Sequence, residues 1–217
     1  MVRLGCRAPA QLASYCMVIP KCAYGAGMER LRLIIVCGVP GSGKSTFAIR
    51  AAERWGAAKF ASEIFAEELG PAARTASGDL SNEAIAHAYS EMGAAVRKSF
   101  QTHRLVVAVG SFRAELQRAR FREIATSSGA SATTVRIICP VEISAQRIRS
   151  RLAFGERGPT EKAIVQIEDQ LNRACDIDLV VHNDSSVAQF HQQVDSIFEV
   201  LLDREPARAN DTAARLR

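Results

Sequence analysis

A run of small residues that ends in a lysine and two hydroxyl side chains follows an apolar stretch of the chain. The run reads CGVPGSGKSTF over residues 37–47 and fits the pattern G-x-x-x-x-G-K-[ST], with Gly38, Gly43, Lys44 and Ser45 in the required places. In such a loop the glycines let backbone amides approach phosphate oxygens. The helix that follows adds the positive end of its dipole. The pattern predicts a site for a nucleoside triphosphate.

Two side chains of this phosphate-binding loop (the P-loop, residues 38–45) have predicted chemical roles. Lys44 is expected to reach the β- and γ-phosphates, and the Ser45 hydroxyl to ligate Mg²⁺. The alternative, a glycine-rich turn without a ligand, is disfavoured by the strand pattern before the loop and the helix pattern after it. The predicted nucleotide contacts are Gly38, Pro40, Gly41, Ser42, Gly43, Lys44, Ser45 and Thr46. Kinases, motor ATPases and switch proteins share such a loop, so it leaves the reaction open.

The elements that position the loop alternate between strand and helix patterns. Apolar runs predict strands over residues 33–37, 59–61, 105–109, 135–139 and 179–182. Helical patterns cover residues 44–55, 63–69, 82–102, 113–127, 144–152, 160–174 and 187–202. Strands that are apolar on both faces are typical of a parallel sheet covered by helices. We therefore predict an α/β fold: a P-loop NTPase with a doubly wound, five-stranded, mostly parallel sheet and helices on both faces.

Length and charge limit the organisation of the chain. The 217 residues suffice for one domain of ordinary size, predicted over residues 28–202. Residues 1–27 are predicted to be a disordered arm, or an upstream misread of the start, and residues 203–217 a flexible tail. These two ends carry +4 of the net charge of +5, so the charge is weak support for a nucleic-acid partner. The sequence contains no apolar run of about 18 residues, so it predicts no membrane span.

The six cysteines and four histidines show no metal-binding spacing. Cys37 and Cys139 end apolar runs and are predicted to be small buried hydrophobes. Reduced thiols indicate a cytoplasmic protein. The single histidines are predicted to be structural or exposed.

From Met28 to about Leu202 the chain resembles the small P-loop kinases of the AAA-type and zeta-toxin-like ATPase group, related to polynucleotide 5′-kinase, gluconate kinase and antibiotic phosphotransferases. Four stretches carry the resemblance: IIVCGVPGSGKSTFA, FASEIFAEELG, VVAVGSFRAELQRARFREIA and CPVEISAQRIRSRLAFGERGPTEKAIVQIEDQL. The resemblance implies ATP and Mg²⁺ as ligands. It also implies transfer of the γ-phosphate to a hydroxyl acceptor.

The acceptor side departs from this group at two places. The second strand of such kinases ends in Ser-Asp with an arginine three residues later, and here these positions are Ser62, Glu63 and Ala66. Glu63 is the candidate general base, the alternative being a solvated glutamate in a first helical turn. The third strand of the group ends in an acid that helps to hold Mg²⁺, and here the position is Val109. Either another carboxylate substitutes, with Glu63 the nearest candidate and Asp79 a weaker one, or the metal is held more loosely.

Arginines gather in the stretch that forms a lid in these kinases. Arg147, Arg149, Arg151 and Arg157 occupy it, and Arg147 and Arg151 share one helix face. The resemblance implies that Arg151 stabilises charge on the transferred group and that Arg147 contacts the nucleotide. A solvated basic face is the alternative.

Two further groups of residues admit more than one interpretation. The resemblance places Asn183 by the adenine, whereas Asp184 or Ser185 is predicted to cap the last helix. Arg118, Arg120 and Arg122 form either a solvated helix face or a contact for a nucleic-acid backbone. Three hypotheses follow: a kinase with a hydroxyl acceptor, a nucleotide-binding regulator with weak or no catalysis, and a polynucleotide 5′-hydroxyl kinase.

Overall fold

The computed structural model describes residues 30–70, 73–76, 79–153 and 159–203. The predicted arm over residues 1–27 and all but the first residue of the predicted tail lie outside these ranges. In chain order the elements are β1 (Arg32–Cys37), α1 (Lys44–Trp55), β2 (Ala58–Ala61), α2 (Ser62–Glu67), α3 (Asn82–Ser99), β3 (Leu105–Val109), α4 (Glu115–Ser127), β4 (Ser131–Ile138), α5 (Val141–Ala153), α6 (Glu161–Asn172), β5 (Leu179–His182) and α7 (Val187–Asp203). Within these ranges no helix is both long and apolar enough to cross a bilayer.

The five strands form one sheet in the order β2-β3-β1-β4-β5, and every neighbouring pair is parallel. The predicted α/β fold class is therefore confirmed. The chain leaves the central strand β1 at the point where the strand order changes direction, between β3 and β4. Ligands of open α/β sheets bind at such a point, outside the carboxyl ends of the strands. The P-loop starts there.

Alternate residues of β1 face two separate apolar cores. Leu33 and Ile35 belong to a cluster that includes side chains of α3, α4 and α6. Ile34 and Val36 belong to a second cluster beneath α1 and α7. Burial on both faces explains why the strands are continuous apolar runs.

Strand pairing and side-chain contacts set some boundaries that hydrophobicity does not indicate. β4 begins at Ser131, four residues before the predicted start, because its polar first half pairs with β1 from Arg32 onwards. The helix predicted from residue 113 begins at Glu115, where the Ala114 amide donates a hydrogen bond to the Gln117 side chain. Residues 110–114 are instead a loop (the β3–α4 loop). Arg113 thus lies in a loop and not in a helix.

Candidate active site

The P-loop requires glycine where its backbone touches neighbouring elements. The φ angle is +83° at Gly41 and +103° at Gly43, in the region that favours glycine. A Cβ atom on Gly41 would lie 2.6 Å from the carbonyl oxygen of Ser144, and one on Gly43 would lie 2.2 Å from Nδ2 of Asn183. The two glycines therefore allow the loop to pack directly on α5 and on the residue after β5.

The backbone amides of five residues at and after this turn have no backbone hydrogen-bond acceptor in the part of the chain that the structure describes. They belong to Gly41, Gly43, Lys44, Ser45 and Thr46. The last three open α1, where a helix leaves its first N–H groups unpaired and carries the positive end of its dipole. Unpaired donors on a loop without side chains in the way fit the oxygens of a phosphate group.

Lys44 lies within the loop and is only 7% exposed. Its ammonium group donates a 2.7 Å hydrogen bond to the carbonyl oxygen of Val39. Burial lowers the pKa of Lys44 from 10.5 to about 8, whereas the charge of Glu63 acts in the opposite direction and that of Arg151 in the same one. The ammonium is thus held near Glu63 and Arg151.

The hydroxyl groups of the loop lie in different surroundings. Ser45 and Thr46 are accessible at the start of α1, whereas Ser42 is fully buried and its Oγ has no hydrogen-bond partner among the described residues. Pro40 lines the cavity described below. Ser45 therefore offers an oxygen at the loop surface, as expected of a magnesium ligand.

A magnesium ion would find few other protein ligands here. Val109 ends β3 beside Val36 and Ala61, is 4% exposed and packs in the apolar cluster beneath α1. The described residues contain no group of three or more His, Cys, Asp or Glu side chains able to hold a metal. This donor set fits Mg²⁺ held mainly by phosphate oxygens and water, which is common for this ion.

Asn183 supports the P-loop from behind. It is 5% exposed, and its Nδ2 donates a 2.7 Å hydrogen bond to the carbonyl oxygen of Ser42. Whether it also contacts an adenine stays a prediction. The predicted cap of α7 at Asp184 or Ser185 is wrong, because the Ser186 hydroxyl accepts the amide of Gln189.

A cavity of about 580 Å³ opens beside the P-loop. It lies between the P-loop, α2, the segment before α3, α3, the β3–α4 loop, α5 and α6. Its lining includes Pro40, Lys44, Ser62, Glu63, Glu67, Arg74, Asp79, Tyr89, Ser111, Arg113 and Arg151, with apolar side chains such as Leu80, Ile148 and Ile167. The cavity thus joins the predicted phosphate site to charged, hydroxyl and apolar groups.

The structure brings Glu63, Ala66 and Arg151 to this cavity. Glu63 lies in the first turn of α2 and is exposed to the cavity. Ala66 is 2% exposed and packs in the core, and it also forms part of the cavity lining. Asp79 lines the cavity and accepts a 3.1 Å hydrogen bond from the amide of Thr160 at the start of α6.

The lid arginines have different surroundings. Arg147 donates hydrogen bonds to the carbonyl oxygen of Gly41, at 3.2 Å, and to Sγ of Cys139. Arg149 forms an ion pair with Glu161 and so links α5 to α6. Arg151 lines the cavity without a carboxylate partner in the described ranges. Arg157 lies outside the described residues.

The β3–α4 loop is fixed by contacts that the sequence did not suggest. Phe112 has a φ angle of +44°, which is unusual for a bulky residue. Its amide donates to the hydroxyl oxygen of Tyr89 at 2.8 Å, and its carbonyl oxygen accepts from Arg118 at 2.6 Å. Arg118 in turn binds both carboxylate oxygens of Asp176.

Of the three arginines in α4, Arg118 fits neither a solvated helix face nor a contact for a nucleic-acid backbone, and Arg122 is partly exposed and paired. Arg118 is 2% exposed. Arg122 bonds to the Asp176 carbonyl oxygen and to the Asp178 carboxylate. Arg120 alone lies on the exposed face. A signal was present, because Arg118 precedes Phe121 by three residues and Ala125 by seven, which places it on the buried side of the helix.

Cys37 and Cys139 are buried free thiols, as predicted. Burial raises the pKa of Cys37 to about 11, so it remains a neutral thiol beneath the P-loop.

Comparisons with known proteins agree with this architecture. A gluconokinase from Sinorhizobium meliloti 1021 superposes with a TM-score of 0.59 at 19% identity, over 80% of this chain and 95% of that chain. The Mycobacterium tuberculosis APS kinase CysC in complex with AMPPNP and APS gives 0.56 at 18%, over 78% and 98%. A shikimate kinase from Acinetobacter baumannii gives 0.56 at 18%, over 84% and 98%. At these identities the likeness concerns the fold.

No curated protein matches the sequence. A family model described as "AAA domain" matches residues 33–174, from β1 through the P-loop, the cavity-lining elements and α6. The chain therefore belongs to this AAA domain family and has the fold of a small P-loop kinase.

Proposed function

We propose that the protein is an ATP-dependent kinase that transfers the γ-phosphate of ATP to a hydroxyl group of a small acceptor. The observation that carries the proposal is that Lys44, Glu63 and Arg151 line one cavity that opens at the P-loop. Structures of similar fold support it, since they include a gluconokinase and an APS kinase in complex with AMPPNP and APS.

In this proposal the P-loop binds the triphosphate. The unpaired amides around Gly41 and at the start of α1 donate to phosphate oxygens. The Lys44 ammonium exchanges its bond to the Val39 carbonyl oxygen for bonds to the β- and γ-phosphates. Ser45 is the residue that would hold Mg²⁺, which neutralises phosphate charge when bound with the nucleotide.

The cavity holds the acceptor. Glu63 takes the proton of the acceptor hydroxyl while the oxygen of that hydroxyl forms a bond to the γ-phosphorus. The bond from that phosphorus to the β–γ bridging oxygen breaks, and ADP leaves with the electron pair. Arg151 stabilises the charge on the transferred group. Positioning and charge stabilisation thus account for the catalysis.

Two measurements test the proposal. Calorimetry with Mg–ATP is expected to give binding that Lys44→Ala abolishes and that the control Lys59→Ala, on an exposed residue of β2, leaves intact. A labelled-ATP screen with sugars, nucleosides, antibiotics and 5′-hydroxyl oligonucleotides is expected to identify an acceptor. Glu63→Gln is then expected to lower kcat by about 10²–10⁴ while ATP affinity stays the same.

One observation favours a second candidate, a nucleotide-binding regulator with little catalysis. Val109 offers no oxygen to a metal or its bound water at the end of β3. ATP binding without transfer to any acceptor in the screen would support this candidate over the kinase. A polynucleotide acceptor has no such observation in its favour, because Arg118 and Arg122 bind Asp176 and Asp178.

A further inference from the structure

The side chain of Arg113 stands out among the residues that line the cavity. It is partly buried, and no carboxylate pairs with it in the described part of the chain. Several other part-buried or buried arginines pair with carboxylates, among them Arg50 with Asp195 and Arg118 with Asp176, whereas the part-buried Arg147 donates to a carbonyl oxygen and a thiol. A guanidinium that is partly removed from water without a counter-ion has an unmet electrostatic demand that an anionic ligand would satisfy.

The backbone beside Arg113 is held in place. Phe112, the residue before it, keeps its positive φ angle because its amide and carbonyl are bound by Tyr89 and Arg118. The rings of Tyr89 and Phe112 also pack edge to face with centroids 4.9 Å apart. Strained backbone persists where the surroundings fix it, which is typical of functional sites. Arg113 therefore projects from a rigid loop.

Hydroxyl groups accompany Arg113 in the cavity lining. Ser111 and Tyr89 both line it, and their oxygens are 3.4 Å apart. The Tyr89 oxygen already accepts the Phe112 amide, so its own proton remains to be donated. This wall of the cavity is thus rich in hydrogen-bond donors.

None of the carboxylates in the described cavity lining forms an ion pair with Arg113. Glu63 and Glu67 belong to α2. Asp79 is bound to Thr160 through the amide and hydroxyl of that residue. In the proposed function Glu63 receives the proton of the acceptor hydroxyl, and Lys44 and Arg151 serve the transferred phosphate. Arg113 is a cation of the cavity lining to which the proposed reaction gives no task.

We propose that the acceptor carries a carboxylate or phosphate group besides its hydroxyl, and that Arg113 binds this anion. The inference rests on the proposed kinase function and specifies its substrate class. The planar guanidinium binds either anion through two parallel hydrogen bonds. The apolar lining at Leu80 and Ile148 then faces the carbon skeleton of a small acceptor.

The test uses protein loaded with Mg–AMPPNP, so that the P-loop is filled, and three matched probes: glycerol, glycerate and glycerol phosphate. Wild-type protein is expected to bind at least one of the two anions at least about tenfold more tightly than glycerol in calorimetric titrations. Glycerate and glycerol phosphate distinguish a carboxylate from a phosphate preference. Arg113→Gln is expected to abolish the preference, and Arg113→Lys to keep part of it.

The control is Arg120→Gln, which removes the same charge from the exposed face of α4 and is expected to keep the preference. Wild-type protein that does not prefer either anion, or an Arg113→Gln protein that still does, would overturn the proposal. Failure of AMPPNP to bind would count against the proposed function instead. In that case the titrations with glycerol, glycerate and glycerol phosphate are repeated on Lys44→Ala protein, which lacks the cation of the P-loop. Comparing this protein with and without Arg113→Gln then tests the anion site alone.

Discussion

The ammonium group of Lys44 and the carbonyl oxygen of Val39 are joined by a 2.7 Å hydrogen bond that closes the P-loop on itself. The bond keeps a buried cation at the place proposed for the triphosphate, and burial lowers the pKa of Lys44 to about 8. A cation that titrates so close to neutral pH links nucleotide binding and folding to pH. As the pH rises, nucleotide affinity is expected to fall, whereas the contribution of Lys44 to folding stability is expected to rise.

Nucleotide affinity is expected to fall as the pH rises above 8. Phosphate oxygens favour the charged ammonium, so binding raises the pKa of Lys44 and takes up a proton where the free side chain is neutral. The dissociation constant for Mg–ATP should rise by at most about tenfold per pH unit between pH 8 and the pKa of the bound state. Calorimetry in buffers of different ionisation enthalpy measures the proton uptake.

Lys44→Arg serves as the control because a guanidinium keeps its charge throughout this range. The affinity of Lys44→Arg for Mg–ATP should be lower than that of the wild type at pH 7 and independent of pH up to 9.5.

For the folding stability of the ligand-free protein the sign of the pH dependence reverses. The unfolded chain, with a lysine pKa near 10.5, binds more protons than the folded chain between pH 8 and 10.5, so the contribution of Lys44 to stability rises with pH. Equal pH profiles for the wild type and Lys44→Arg would contradict this account.

Asn183→Ala is expected to weaken both the fold and nucleotide binding. The substitution leaves the buried carbonyl oxygen of Ser42 without its donor, which costs roughly 1–3 kcal/mol of unfolding free energy. The freed loop no longer holds its amides in one arrangement, so Mg–ATP affinity falls as well. Denaturant unfolding and calorimetry measure the two effects. Asn82→Ala, on the exposed first residue of α3, is the control, and an equal response of the two variants would refute the role of Asn183.

The P-loop and the strands were predictable from the sequence because their determinants are local. A short run of consecutive residues specifies the loop, and an unbroken apolar run specifies a strand that is buried on both faces. The start of β4 was not predictable in this way. Ser131 and Thr133 are polar, and they enter the strand because the backbone of β1 offers them partners.

The cavity wall at the β3–α4 loop was not predictable because its contacts join distant polar residues. Arg118 and Asp176 are 58 positions apart, and Tyr89 is 23 positions from Phe112. No local pattern requires these pairs. Only the position of Arg118 on the apolar side of α4 indicated that it would be buried.

Val109→Asp is expected to strengthen the response to magnesium. The carboxylate would stand at the end of β3, where an oxygen is lacking, and each hydrogen bond to a charged group is worth roughly 1.5–3 kcal/mol. Half-maximal activity should then require at least about tenfold less Mg²⁺. Val109→Asn, which matches the size without the charge, should not show this gain. An equal magnesium requirement for both variants would exclude a missing acid as the weak point.

The same substitution is expected to lower the melting temperature. Val109 is 4% exposed within the apolar cluster beneath α1, and placing a polar group there costs roughly 2–4 kcal/mol. Val109→Asn should lower the melting temperature too. A large gain in turnover by Val109→Asp would identify the natural protein as a slow kinase, whereas a gain in magnesium affinity alone would favour the regulator.

The ion pair between the buried Arg118 and the partly exposed Asp176 is expected to govern both acid stability and the acceptor cavity. Hydrogen bonds from Arg118 hold the pKa of Asp176 below its ordinary value. The carboxylate therefore contributes stability above the unfolded pKa of about 3.8, and this contribution disappears as the pH falls through the folded pKa. Asp176→Asn should lose about 1–3 kcal/mol at pH 7, because the buried Arg118 loses its ionic partner.

Unfolding free energies of the wild type and Asp176→Asn should converge below pH 3.8, whereas Asp169→Asn, on an exposed residue of α6, should follow the wild type at every pH. The displaced Arg118 also releases the carbonyl oxygen of Phe112, so the β3–α4 loop loses a constraint next to Arg113. Acceptor KM should then rise while the affinity for Mg–ATP remains within about threefold of the wild type. A parallel loss of both affinities would mean that the pair stabilises the whole domain and has no particular effect on the acceptor wall.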